Sequence, residues 1–305
     1  MVDKLRRRQL IGLFAGGLVV ANHAPALAQP APDVVRKPIG LSGESLPVIG
    51  LGSWITFNVG NDPLARKVCA EVMGQFFQAG GRLIDSSPMY GSSQAVIGEA
   101  LASLGAGRQV FSADKVWTSG AGREQIDASR GHWGVPRFDL LQVHNLLAWR
   151  TQLPLLFELK RARQLRYVGI TTSEGRRHPE IEQLMAEYPL DFVQVSYNIV
   201  DRAAEQRILP LARERGIAVI ANRPFREGAL IRAVQRHRLP AWAAELDCLN
   251  WAQFLLKFIV SHPDVTCAIP ATSRIDHVRE NIGAARGRLP DTAMRARMVA
   301  AVAAM

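Results

Sequence analysis

The sequence predicts an α/β protein of one domain, folded as a (β/α)8 TIM barrel. Three observations carry that prediction. Short apolar runs alternate with helix-patterned stretches through eight strand–helix units. Three of the runs end on an ionisable residue, Asp85, Lys115 and His144. A length of 305 residues with 48% hydrophobic content supports one substantial core. An open doubly wound sheet fits the same alternation and is the structural alternative.

The elements are expected as follows. A Pro-rich linker covers 29–40, and Val48-Ile49-Gly50-Leu51-Gly52 reads as the first barrel strand. A helix follows over 63–79, then a strand at 82–85, a helix at 93–104 and a strand at 110–115. The next pairs are a helix at 123–130 and a strand at 138–144, then a helix at 153–164 and a strand at 167–171. Further on come a helix at 179–187, a strand at 192–196, one helix over 204–215 and a strand at 217–221. A long loop precedes an apolar helix at 249–261, a last strand at 267–270 and a helix at 275–283. The Ala- and Met-rich tail after Asp291 is expected to be helical. The strand runs are almost continuously apolar, as strands buried on both faces must be. The barrel proper is placed at 41–305.

The first 28 residues read as an export signal rather than as part of the fold. Lys4, Arg6, Arg7 and Arg8 form a basic start, an apolar stretch follows, and Ala26-Leu27-Ala28 is a small-residue cleavage pattern. Arg7-Arg8-Gln9-Leu10-Ile11 resembles the twin-arginine consensus, which implies a periplasmic protein exported already folded. An ordinary secretory signal is the alternative. The segment supplies net +3 of the formal +10, so the remainder stays basic. No aromatic interleaving or nucleic-acid motif accompanies that charge, and no nucleic-acid partner is expected. Nor is stable membrane insertion expected once the signal is removed. The three cysteines, Cys69, Cys248 and Cys267, show no disulfide framework, and no metal-ligand spacing is visible.

Asp85, Tyr90, Lys115 and His144 are the candidate catalytic residues. Asp85, Lys115 and His144 close their strands, and Tyr90 follows in the loop after Asp85. In a barrel that places all four at the mouth, where this architecture keeps its chemistry. Reducing a carbonyl by hydride needs a proton donor for the oxygen as it becomes an alkoxide. A phenol can serve if a nearby ammonium lowers its pKa from about 10. Lys115 is expected to do this for Tyr90, with Asp85 keeping Lys115 charged and His144 orienting the substrate oxygen. Each residue alone has an ordinary explanation: a helix cap, a turn aromatic, a surface charge, a core histidine. Their shared placement past successive strands argues for a site.

The ordered motifs are similar to those of the aldo-keto reductase superfamily. Gly50-Leu51-Gly52-Ser53-Trp54 resembles that family's opening, and Asp85-Ser86-Ser87-Pro88-Met89-Tyr90-Gly91 resembles its Asp…Tyr-Gly signature. Leu165-Arg166-Tyr167-Val168-Gly169-Ile170 and Ala268-Ile269-Pro270…Glu280-Asn281 match later segments. The resemblance implies a barrel that binds NADP(H) without a Rossmann domain and acts on a small carbonyl or alcohol, as a monomer. It implies cofactor contacts at Gly52, Ser53, Trp54, Asp85, Thr171, Thr172 and Gln194. It adds Asn222, Arg223 and the pyrophosphate loop of Pro224, Phe225, Gly228, Ala229 and Leu230. Thr272 and Ser273 are implied as further cofactor contacts, Arg274 as the partner of the adenosine 2′-phosphate and Asn281 near the adenine.

Two departures stand out against that pattern. Thr171-Thr172 occupies the place of a Ser-Asn pair, and Asn222, followed by Arg223, replaces a tyrosine that stacks on nicotinamide. Trp54, Trp117, Asn145 and Trp149 are expected near the cleft, and residues 231–247, with Trp242, as a basic lid beside it. The altered nicotinamide contacts leave a second functional class open, a non-catalytic NADP-binding regulatory or redox-sensing subunit.

Overall fold

The computed structural model describes residues 34–305, so the expected signal and the start of the linker lie outside the described residues. Eight parallel strands run in chain order around a barrel. They are β3 (Leu51–Gly52), β4 (Leu83–Asp85), β5 (Phe111–Val116), β6 (Phe138–His144), β7 (Leu165–Thr171), β8 (Phe192–Ser196), β9 (Ala218–Asn222) and β10 (Cys267–Ala268). The ring closes where Ile49 bridges Ala268 and Gly52 bridges Ala271. Gly50 N–H donates to Ala268 C=O at 2.8 Å, and Ala268 N–H returns to Val48 C=O at 2.9 Å. That closure rules out the open sheet.

The outer layer consists of α1 (Pro63–Gln78), α2 (Ser93–Leu104), α3 (Gly122–Trp133), α4 (Trp149–Arg161), α5 (His178–Glu187), α6 (Ile208–Arg215), α8 (Trp251–Val260) and α9 (Ile275–Gly283). A short α7 (Ala229–Val234) lies in the loop after β9, and α10 (Thr292–Ala303) ends the chain. Side chains alternate along each strand, so every second residue faces the barrel axis. The inward set nearest the N-terminal ends is apolar: Leu83, Phe111, Leu140, Tyr167, Phe192, Ala218 and Cys267 pack in one cluster.

Several boundaries differ from expectation, each for a local reason. Arg36–Pro38, expected in the linker, is strand β1, paired antiparallel with β2 (Ser45–Pro47). This hairpin delivers Ile39 and Leu46 to the interior cluster and plugs the barrel floor. The helix expected over 204–215 breaks into a 3₁₀ turn, Ala203–Glu205, and α6. Pro210 has no N–H to continue a single helix back through Gln206. The lid expected at 231–247 is instead α7 and a 3₁₀ helix, Ala241–Leu246. Trp242 packs on Phe254 with ring centroids 5.6 Å apart and lies under the Arg297 guanidinium, away from the cleft.

Candidate active site

Register brings the polar side chains together. Asp85 pairs with Gly52 on one side and Ala113 on the other, and Thr171 lies between His144 and Gln194. Asn222 sits opposite Ser196. Asp85, Lys115, Gln142, His144, Thr171, Gln194 and Asn222 therefore fall on inward positions above the apolar floor.

The centre of the site is an ion pair. Lys115 Nζ donates to Asp85 Oδ2 at 2.6 Å and to Ser86 C=O at 2.7 Å, and both side chains are almost completely buried. The ammonium lies 5.1 Å from the centre of the Tyr90 ring, which meets the His144 ring edge-on at 5.7 Å. Burial pulls the Lys115 ammonium down, but Asp85 and Tyr90 outweigh it and its pKa ends above the ordinary value. Burial pushes the Tyr90 phenol up, and the Lys115 charge pulls it back only in part. This corrects the expected direction for Tyr90. The ammonium acts on it as anticipated, yet removing the phenolate from water has the larger effect.

His144 has a defined tautomer. Its Nδ1 lies 2.8 Å from Ser87 Oγ, and that oxygen already accepts the Met89 N–H at 3.2 Å. The buried Ser87 hydroxyl has no other acceptor among the described residues, so its proton points at Nδ1. Nδ1 is then an acceptor, and Nε2 carries the hydrogen. Burial and the Lys115 charge hold the imidazole down to about 3, so His144 is a neutral donor at any ordinary pH.

A second network runs beside the pair. Gln194 Nε2 donates to Asp85 Oδ1 at 2.8 Å, while its Oε1 accepts from Thr171 Oγ1 at 3.2 Å and from Asn222 Nδ2 at 3.4 Å. Asn222 Oδ1 in turn accepts from Ser196 Oγ at 2.8 Å. The two departures at Thr171 and Asn222 thus fix which way the Gln194 amide faces. Gln142, unforeseen in sequence, reaches Asp85 Oδ1 at 3.5 Å and leaves its own Oε1 buried without a partner among the described residues. It lies two residues before His144 on β6, so strand alternation alone could have placed it inward.

Above these groups opens a cleft of about 430 Å³, of the size small-molecule sites usually have. Gly52, Ser53, Trp54, Asp85, Tyr90, His144, Thr171, Gln194, Asn222, Arg223, Pro224, Phe225 and Gly228 line it. Lys115 lies buried behind Tyr90 instead of on the cleft wall. Thr172, Leu230, Thr272, Ser273, Arg274 and Asn281 are not among its lining residues, although Ala271, just before Thr272, is. Thr172 Oγ1 accepts Glu174 N–H at 3.0 Å, and Thr272 Oγ1 accepts Arg274 N–H at 3.0 Å. Arg274 holds Asp276 through Nε and Nη2. Of the four expected pocket residues, Trp54 and Asn145 reach the cleft. Trp149 donates to Glu180 at 3.0 Å and packs on Tyr188, and Trp117 pairs through its backbone with the Gln125 side chain.

The chain fits a dinucleotide at one further point. Arg223, Arg226, Glu227 and Gly228 all adopt positive φ. The N–H groups of Glu227 and Gly228 are given to no acceptor among the described residues. A turn with N–H groups left free in this way suits an anionic diphosphate.

The sequence model of the Aldo/keto reductase family matches residues 48–298. An NADH-specific methylglyoxal reductase of Escherichia coli is 25% identical, covering 84% of this chain and 95% of the relative. A second methylglyoxal reductase of that organism is 28% identical over 81% of this chain and 88% of its own length. In fold, the chain resembles an aldo/keto reductase from Klebsiella pneumoniae solved with NADP and acetate. The TM-score is 0.72 at 22% identity, over 85% of this chain and 92% of that one. An aldo-keto reductase from Bacillus halodurans, in its holo form, superposes with a TM-score of 0.70 at 20% identity, over 88% and 96% of the two chains.

Proposed function

Since the chain belongs to the aldo/keto reductase family, we propose that it is an NADP(H)-dependent oxidoreductase that interconverts an aldehyde or ketone and its alcohol. The observation that carries this reading is the convergence on one cleft of a protonated phenol, Tyr90, and a neutral imidazole N–H donor, His144, with the Lys115–Asp85 pair behind the phenol. NADPH, when bound, supplies the hydride. His144 Nε2–H holds the carbonyl oxygen and stabilises the charge that develops on it. Tyr90 gives that oxygen its proton, and the Lys115 ammonium stabilises the phenolate left behind. Asp85 keeps the ammonium in place. In the oxidation direction the same groups take the proton back.

Thr171, Gln194 and Asn222 are assigned to the nicotinamide end of the cofactor, and the turn at 223–228 to the diphosphate. Arg274 is assigned to the 2′-phosphate. Asp276 occupies its Nε and Nη2, and the Nη1 edge remains to meet a phosphate oxygen. That contest makes Asp276 the residue to change when cofactor choice is tested, since one relative is named as NADH-specific. The N-terminal motif supports export with nucleotide already bound. Protein purified from the periplasm should then release nucleotide on denaturation, and an empty protein would count against folded export.

The decisive experiment compares wild type with Tyr90→Phe on a panel of aldehydes, using NADPH and NADH in turn. The expected loss in kcat is about 10³-fold, within the range for general acid catalysis, with nucleotide affinity retained. Tight nucleotide binding without turnover of any carbonyl by wild type would favour the regulatory-subunit reading instead.

A further inference from the structure

The barrel has a second concave surface, at the end opposite the cleft. A pocket of about 440 Å³ opens where β4 to β7 begin, beside the β1–β2 hairpin. These four neighbouring strands each bring one arginine to it. Arg82 directly precedes β4, Arg108 lies in the turn before β5, Arg137 directly precedes β6, and Arg166 is the second residue of β7. Register sets the strand starts side by side, since Leu83 pairs with Phe111 and Phe138 with Leu165. Arg36, from β1, completes the set.

Five guanidiniums thus face two carboxylates, a net charge of +3, and one arginine uses both carboxylates. Arg166 holds Asp139 through Nη1 and Glu44 through Nη2. Glu44 also accepts the Tyr167 O–H at 2.7 Å, and Asp139 the Ser112 N–H at 2.7 Å, which fixes both away from the other arginines. Arg36 and Arg137 find only neutral acceptors. Arg36 donates to Ser45 Oγ at 3.0 Å and to Ser45 C=O at 2.6 Å, and Arg137 donates to Arg163 C=O at 3.2 Å. The guanidiniums of Arg82 and Arg108 have no partner among the described residues. Burial, and after it the Arg82 charge, lowers the pKa of Arg36 from its ordinary value, so these two cations share the pocket at a cost.

Arginines spread over a convex surface are ordinarily solvated and need no ligand. A concave wall of one sign differs, because its low-dielectric sides focus the field into the space between them. The planar fork of a guanidinium also matches phosphate and carboxylate oxygens in pairs.

We propose that this basal pocket binds a small oxyanion with two or more charged groups, a diphosphate or a polycarboxylate. The ligand bridges Arg82 and Arg108 and lies across the starts of β4, β5 and β6. Those strands carry Asp85, Lys115 and His144 at their other ends, so the anion staples the scaffold of the cleft without entering it. The assignment is independent of the chemistry proposed for the cleft, and its test needs no turnover.

That test is calorimetric titration of the full chain with pyrophosphate and with citrate, at low ionic strength. NADP is kept saturating, so that phosphate contacts at the mouth are already filled. One anion should bind per chain. Arg82→Gln and Arg108→Gln should each weaken it about tenfold, the loss of one hydrogen bond to a charged group, while Arg274→Gln leaves it unchanged. Acetate should bind at least about tenfold more weakly, because a single carboxylate cannot bridge two guanidiniums. Pyrophosphate should also raise the melting temperature of wild type but not of the double variant, since a ligand of the folded chain stabilises it. Whichever of pyrophosphate and citrate binds tighter identifies the ligand as a phosphate compound or a polycarboxylate. Absence of binding, equal binding by the double variant, or a loss in Arg274→Gln instead would overturn the site. So would a melting shift that sodium chloride matches at equal ionic strength. If NADP itself failed to bind, the cofactor reading would fall alone, and the floor variants would still decide the pocket.

Discussion

At the floor of the barrel Phe111 stacks on Tyr167 at 6.0 Å, and Tyr167 meets Phe192 edge-on at 5.5 Å. Two to four residues further along the same strands, β4 to β8 present Asp85, Lys115, Gln142, His144, Thr171 and Gln194 to the same interior. The floor is apolar and sealed by the β1–β2 hairpin. The mouth carries an ion pair, a chain of amides and a buried amide carbonyl oxygen that has no partner among the described residues. Backbone strain follows the same division. Of the nine non-glycine residues with positive φ among the described residues, seven lie in loops at the mouth: Ile55, Asn145, Leu146, Ala148, Arg223, Arg226 and Glu227. Strand alternation decides which residues face inward, but depth along the strand decides whether they serve stability or chemistry. A barrel can carry a costly polar layer only because a well-packed one lies beneath it.

The largest effect expected of that division comes from Lys115→Met. It leaves Asp85 buried without a cation, which should destabilise the protein by about 3–5 kcal/mol and abolish turnover together. Adding Asp85→Leu should restore most of the stability and none of the activity. Phe192→Ala on the floor is the contrasting change. It should cost about 3 kcal/mol, at the lower end for a buried phenylalanine because Phe111 and Tyr167 can close in, while the folded fraction keeps its kcat. Denaturant melts with activity measured on the same samples separate the two patterns. If Phe192→Ala lost activity in proportion to Lys115→Met, floor and mouth would not be separable.

A smaller effect distinguishes the inside of the wall from the outside. His144 faces the axis, whereas the neighbouring position to Lys115, Asp114, faces outward against α2 and α3. Asp114 accepts from Gln94 at 2.8 Å, from Trp133 at 2.5 Å and from the Lys115 N–H at 2.7 Å. Burial pushes its carboxyl up to about 7 despite those donors, while His144 is held down to about 3. Their pH dependences have opposite signs. Between about 6.5 and 3 the unfolded chain protonates His144 and the folded chain does not, so stability is lost as pH falls. Between about 7 and 3.9 the folded chain protonates Asp114 first, so stability is gained as pH falls and lost as it rises. Asp114→Asn should therefore steepen the loss of melting temperature from pH 7 to pH 4, and His144→Asn should reduce or reverse it. Variant curves that run parallel to wild type would show that neither group is linked to folding.

What could be read from sequence follows the same physical lines. Asp85, Lys115, His144 and Gln194 were legible because they end or occupy apolar strands, where a polar side chain has few places to go. The eight strand–helix units pointed to a closed barrel, but their pattern alone left the open sheet standing, since closure depends on Ile49 meeting Ala268 from the far end of the chain. The hairpin strand β1 was hidden inside a Pro-rich stretch, because pairing with β2 outweighs composition there. The upward shift of Tyr90 was illegible for a different reason: it is the balance of burial against one charge, and only packing sets burial. Ser87 acts from a turn, which has no period to betray a facing direction.

Ser87 is the smallest and sharpest probe of how far polar placement at the mouth extends. It is fully buried and lies behind His144, where, among the described residues, only the imidazole Nδ1 and the Met89 N–H reach its hydroxyl. In Ser87→Ala both would lose a partner, which should destabilise the fold by about 1–2 kcal/mol. The functional loss should be of similar size, about tenfold in kcat/KM, because the imidazole is then free to carry its hydrogen on Nδ1 and turn a lone pair toward the carbonyl oxygen. Nitrogen-15 shifts of the imidazole distinguish the tautomers directly, and a purely structural serine would not move them. Wild type should show hydrogen on Nε2, and Ser87→Ala a mixture. Hydrogen on Nδ1 in wild type, or an unchanged tautomer with unchanged kcat/KM in the variant, would confine the working polar layer to side chains that line the cleft, and Ser87 would belong with the packing beneath it.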